Sequence, residues 1–175
     1  MLYGSDQTGI DNQITFQMNS WSYGVSKGSI VKVGIPTDFL IYDPTIAAST
    51  CLKIAGFSDE ISCTVVPSTT SNGLHIVTVT NGFGSKAFAG GIFSFNISEI
   101  RNPPNSMQTG SFLVNVYDAN GNLQYTYGGN PVNMMFRPQP FLYAMVSSSS
   151  PATGVSSLYT FTLTLSVDTD VNSVI

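Results

Sequence analysis

Charged side chains are scarce in this chain. Asp, Glu, Lys and Arg make up 9% of its 175 residues, where a soluble domain carries about 25%. Only six residues are basic and the net charge is −4. No basic patch exists to follow a phosphate backbone, so nucleic acid is excluded as a partner. Solubility must come from neutral Ser, Thr, Asn and Gln. No apolar run approaches the roughly 18 residues that a membrane-spanning helix needs. The opening "MLYGSDQTGI" has neither a basic nor an apolar signal region, so it does not read as a signal peptide. Met1 as a true start, a processed end or an internal residue of a longer chain all remain open.

Motifs of chemistry are equally sparse. There is one histidine, His75, and there are two cysteines. H-E-x-x-H, G-x-S-x-G and a Gly-rich phosphate loop between strand and helix are all missing. One histidine and two cysteines make a poor zinc site. An enzyme would require a concave pocket holding His75 beside a carboxylate. The expectation is a non-enzymatic protein with no catalytic, cofactor-binding or metal-binding residues. Absent too is a 3.6-residue apolar period sustained over three turns, which argues against long helices.

What remains is a hydrophobic content of 42%, an aromatic content of 11%, 16 glycines and nine prolines. This is not a disordered composition, and the length suits one domain or one and a fraction. Thr-rich, aromatic-rich, Lys-poor chains favour strands. Short alternating runs stand at 13–18, 29–36, 50–56, 61–67, 74–80, 91–100, 110–118, 122–128, 141–150 and 157–167. In "GIFSFNISEI" (91–100), Phe93, Phe95 and Ile97 share one face, opposite Ser94, Asn96 and Ser98. "ANG" between the runs at 110–118 and 122–128 is an Asn-Gly hairpin signal. The runs at 50–56 and 61–67 also read as a hairpin, turned around "FSDE". Eight to ten short strands punctuated by turns predict an all-β, antiparallel sandwich.

Cys51 and Cys63 fall in that second predicted hairpin. Directly opposed strand residues have a Cα spacing that suits a disulfide, although Cys51 shares its face with Lys53 and Cys63 with Ile61 and Val65. A register error of one residue, or two buried free thiols, would account for the mismatch. Asn96-Ile97-Ser98 is the single N-glycosylation sequon, with Asn96 on the polar face. "SSSSPAT" (147–153) reads either as an O-glycosylated linker or as a plain hinge. Asp118, Asn120 and Asn122, and again Asp168, Asp170 and Asn172, mimic the start of a calcium loop. Position 12 counted from Asp118 is Gly129, which offers no carboxylate, so 118–122 is predicted to be a turn. Met134, Met135 and Phe136 read either as a sticky contact surface or as packing at the interface with the next repeat.

The chain begins twice. Leu2-Tyr3, Thr8-Gly9 and Thr15-Phe16 have counterparts in Leu142-Tyr143, Thr153-Gly154 and Thr160-Phe161. The last two pairs are offset by 145 positions, the first by 140. With one residue of slippage, "NSVI" (172–175) resembles "GSIV" (28–31). These matches predict a tandem repeat, with one full sandwich at 1–140 and a linker plus the first strands of a second at 141–175. Such a terminal segment cannot bury one face alone and must find a sheet.

An alternating strand, "Ile-x-Asn-Pro", "Thr-Gly-Ser-Phe" and a strand ending in an Asp-containing hairpin fill 93–122. This order resembles the end of the Ig-like repeats of large extracellular surface proteins of ciliates and other protists. The "Thr-Gly" entry strand and "IVKVGIP" (30–36) are similar too. The resemblance implies an extracellular or cell-surface array module, with an Ig-like fold and no catalytic residues. The expected function is structural: length and self-association in a repetitive surface or filament protein, with partners that are neighbouring repeats, copies of itself and glycans. The rival reading is an adhesin or carbohydrate-binding module, for which Trp21 and Tyr23 on an exposed rim would be the contact residues.

Overall fold

A computed structural model of the chain describes residues 2–3, 8–19, 24–70, 73–129, 131–134, 143–150, 154 and 156–164. The chain forms two compact units, 1–135 and 136–175. In the first run β1 (Leu2–Tyr3), β2 (Asp11–Asn19), β3 (Ile30–Pro36), α1 (Pro44–Ser49), β4 (Leu52–Ala55), β5 (Ser62–Val66), β6 (Leu74–Thr80), β7 (Ile92–Arg101), β8 (Leu113–Tyr117) and β9 (Leu123–Gly128). The second contains β10 (Tyr143–Ser148) and β11 (Tyr159–Thr164).

Unit one is an antiparallel β-sandwich. One sheet has the order β1-β2-β7-β4 and the other β5-β6-β3-β8-β9. The first order is that of the A-B-E-D sheet of an immunoglobulin constant-type sandwich, and β3-β8-β9 follow its C-F-G order. The pair β6-β5 extends the second sheet beyond β3. Strand alternation explains what each layer buries. Ile14 and Phe16 on β2 meet Phe93, Phe95 and Ile97 on β7, and Val31, Val33 and Ile35 supply β3; all are buried. Phe16 and Phe95 are directly paired across the strands, with ring centroids 5.3 Å apart. On the solvent side of β3, the Lys32 ammonium sits over the Tyr117 ring.

The face of β7 changes along its length. Parity would turn Ile100 outward with Ser98, yet Ile100 is fully buried. Glu99 takes a positive φ of 60°, and the β2 register shifts between Asn12 and Ile14. A bulge of this kind re-aims the next side chain. Beyond it, Asn12 Nδ2 donates to Asn102 Oδ1 at 3.0 Å, so this buried amide pair is satisfied.

Ten predicted strands lie where the alternation placed them, but one pairing was misread. The runs at 50–56 and 61–67 are not a hairpin. β4 pairs with β7 in the first sheet, and β5 pairs with β6 in the second. The intervening "FSDE" stretch therefore crosses from sheet to sheet. Ser58 N and Asp59 N both donate to Gly82 O, and Phe57 packs its ring 5.0 Å from that of buried Phe83. A tight turn signal and a crossover look alike in sequence, because both are short, polar and flanked by strands.

Two short elements had no periodic signal. β1 is only two residues long. The six-residue α1 is set by its ends: the Asp43 carboxylate accepts from Thr45 N (2.8 Å) and Ile46 N (3.1 Å), and Pro44 occupies the first helical position. An acidic cap followed by proline is a helix start with a local cause.

In unit two, β10 and β11 form an antiparallel hairpin with Val146 opposite Phe161 and Ser148 opposite Tyr159. Within the described residues this is a separate two-stranded sheet.

Candidate functional site

Cys51 and Cys63 are joined in a disulfide, with Cα atoms 6.1 Å apart. Cys51 precedes β4, an edge of the first sheet, and Cys63 lies on β5, an edge of the second. The bond is therefore an inter-sheet clasp at one side of the sandwich, not a cross-strand pair within a hairpin. This removes the polarity mismatch of the two faces, since the cysteines belong to different sheets. Lys53 reaches across the same crossover to Glu60 at 2.7 Å.

The candidate chemical groups are absorbed by structure. His75 is buried. Its Nδ1 accepts from Ser68 N at 3.1 Å, which leaves Nε2 protonated to donate to Phe39 O at 2.9 Å. The ring ties two loops to β6, and neither nitrogen faces a carboxylate. Asp118 is likewise occupied: Oδ1 accepts from Asn120 N and Asn122 N, and Oδ2 from the Asn122 side-chain amide at 2.9 Å. Those bonds, the side-chain amide foremost, hold the Asp118 carboxyl below the usual carboxylate range. The Ser58 hydroxyl, followed by Ser85, does the same for Asp59. Among the described residues, no group of three or more His, Cys, Asp or Glu is arranged to hold a metal.

Asn96 lies on central strand β7 with Thr15 and exposed Leu52 as its lateral partners, on the outer face of the first sheet. The side chain is half-buried and its Oδ1 has no hydrogen-bond partner among the described residues. Trp21 and Tyr23 lie outside the described residues, as do Asp168, Asp170 and Asn172. Met134 belongs to the core of unit one, where it is buried, so it is no part of an exposed contact surface. Met135 and Phe136 lie outside the described residues.

The surface without an internal explanation is the β10–β11 hairpin. β1 pairs with β2 through Leu2↔Thr15 and Tyr3↔Ile14. β10 pairs with β11 through Ser147↔Thr160 and Ser148↔Tyr159. Adding 145 to every residue of the first set yields the second. Gly9 (φ 65°) and Gly154 (φ 80°) stand at the same offset and share the left-handed conformation that favours glycine. At this offset the ladder positions of Leu2 and Tyr3 correspond to those of Ser147 and Ser148, with no five-residue gap. Environment differs sharply. Phe16 is 2% exposed, whereas Phe161, its counterpart, is 68% exposed. The alternation of 157–167 locates the strand but does not reveal that its outer edge has no neighbour among the described residues.

No protein-family model and no curated protein matches the chain. Among the described residues, no helix is long and apolar enough to cross a membrane.

Proposed function

We propose that this chain is a non-enzymatic structural module of a repetitive extracellular surface or filament protein, supplying length and self-association through sandwiches joined in series. The observation that carries this reading is the shared strand register of β1–β2 and β10–β11 at an offset of 145, together with the matching left-handed glycines. Two hairpins of unrelated origin have no reason to agree in register and in the position of a left-handed glycine. The inter-sheet disulfide fits an oxidising, extracellular setting. With few charges, the module would present neutral polar faces, and a glycan on Asn96 would stand on the outer face of the first sheet. Sheet hydrogen bonds would then resist extension within each module.

The parent transcript tests the reading. Read onward past codon 175, it should encode counterparts of β3 through β9 at the same offset of 145, including a second pair matching Cys51 and Cys63. A stop codon there, or sequence without that strand order, would overturn the proposal.

A further inference from the structure

The outer edge of β11 has a definable complement. We infer that it is completed by the β7 counterpart of a further copy of the same repeat, an extended strand of Phe-x-Phe-x-Ile alternation added antiparallel to β11. This rests on the repeat reading above and names the partner that reading leaves open.

Three observations lead to that strand. First, β2 has two neighbours in unit one, β1 and β7, and β10 already occupies the place of β1 in the same register. Among the described residues, the unfilled place is that of β7. Second, the ladder is in phase. Ser149 N donates to Leu158 O at 2.9 Å. By antiparallel alternation the backbone groups of 158, 160 and 162 then point to β10, and those of Tyr159, Phe161 and Leu163 point to the open edge. Third, the apolar side is ready. Val146 lies opposite Phe161, and Val146, Tyr159 and Phe161 are 58%, 61% and 68% exposed. In unit one the positions matching Tyr159 and Phe161 are Ile14 and Phe16, both buried against the β7 layer.

The β2–β7 register transfers directly. Ile14↔Ile97, Phe16↔Phe95 and Met18↔Phe93 predict that Tyr159, Phe161 and Leu163 will face residues of the Ile97, Phe95 and Phe93 type. Main-chain hydrogen bonds supply the attachment and the alternate aromatic side chains supply the register, as in other strand additions. The consequence is a device for joining modules: each sandwich of the array opens with a hairpin that cannot bury its own face until the rest of its module follows.

The test uses the full 175-residue chain and the same chain extended at its C-terminus by a second copy of its own residues 31–135. Amide hydrogen exchange is read at Tyr159 and Phe161. In the 175-residue chain these amides face the open edge and should exchange freely. In the extended chain they should slow by at least about a hundredfold, as interior strand amides do, and Phe161→Asp should abolish that slowing while unit one keeps its own protection. Mass spectrometry of the extended chain should also show a second disulfide between the added cysteines. A second disulfide with unslowed amides at 159 and 161 would sink this inference and leave the repeat reading intact. So would new protection at 158, 160 and 162 instead, or protection that is already present and rises with concentration in the 175-residue chain. An extension that remains unfolded would sink it as well, because β10–β11 would then have failed to stand in for β1–β2; the parent transcript would still decide the repeat reading independently.

Discussion

Single side chains in this protein act mainly by closing local hydrogen-bond circuits. His75 and Asp118 were the described residues weighed for chemistry, and both, like Asp59, are held by hydrogen bonds to neighbouring loops. The two aspartates carry a pH consequence. Both carboxyls are held below their ordinary range, Asp118 chiefly by the Asn122 side chain and Asp59 chiefly by the Ser58 hydroxyl. A carboxyl depressed in the folded state contributes stability that is fully present above its unfolded value, about 3.9 for Asp, and lost as pH falls through the folded value. Urea midpoints should therefore hold between pH 7 and about 5 and fall below about 4. Asp118→Asn should show a shallower acid loss than the parent chain; equal acid slopes would show that the turn contributes nothing to it. The Asn122 and Asp118 residues were legible as a turn in sequence, because Asn-Gly has one dominant backbone use. The His75 partners, Ser68 N and Phe39 O, were not legible, since a backbone group offers no residue-type signal.

Strands were the most legible feature, and their pairing the least. Alternation marks an element whose two faces meet different surroundings, so ten strands could be located to within three residues at either end. Alternation does not reveal which edge meets which, and so β4 and β5 were joined wrongly across a crossover. Among the described residues β2 lies between two strands and β11 beside one, so the hairpins β1–β2 and β10–β11 contrast a strand with and without a second neighbour. Phe16→Ala should destabilise unit one by about 3–5 kcal/mol, the range for truncating a buried phenylalanine. Phe161→Ala should change the same urea transition by no more than about 0.5 kcal/mol, as for an exposed substitution. Near-UV circular dichroism during urea unfolding measures both. Comparable losses would mean that Phe161 is buried in solution.

At the scale of the chain, unit one is a sandwich clasped at one edge, and unit two contains the β10–β11 hairpin. The clasp is a bond between sheets, so its loss should loosen the crossover rather than remove either sheet. Replacing Cys51 and Cys63 together by alanine should lower stability by about 2–4 kcal/mol while the far-UV spectrum stays strand-dominated. Mass spectrometry of unreduced parent protein should show the two linked, and free thiols in fresh material would contradict the bond. From composition and periodicity alone came the all-β class, the strand positions, the Asp118 turn and the doubled opening at an offset of 145. All of these depend on local spacing, which a linear chain carries openly. Folding in three dimensions alone placed Cys51 and Cys63 on different sheets, turned Ile100 inward past the bulge at Glu99, drew Phe39, Phe83 and Phe112 from loops into the core and left β11 with one edge open among the described residues. Each of these depends on which distant segments meet, and such meetings are settled by the burial of the whole apolar surface together, not by the pattern of any one segment.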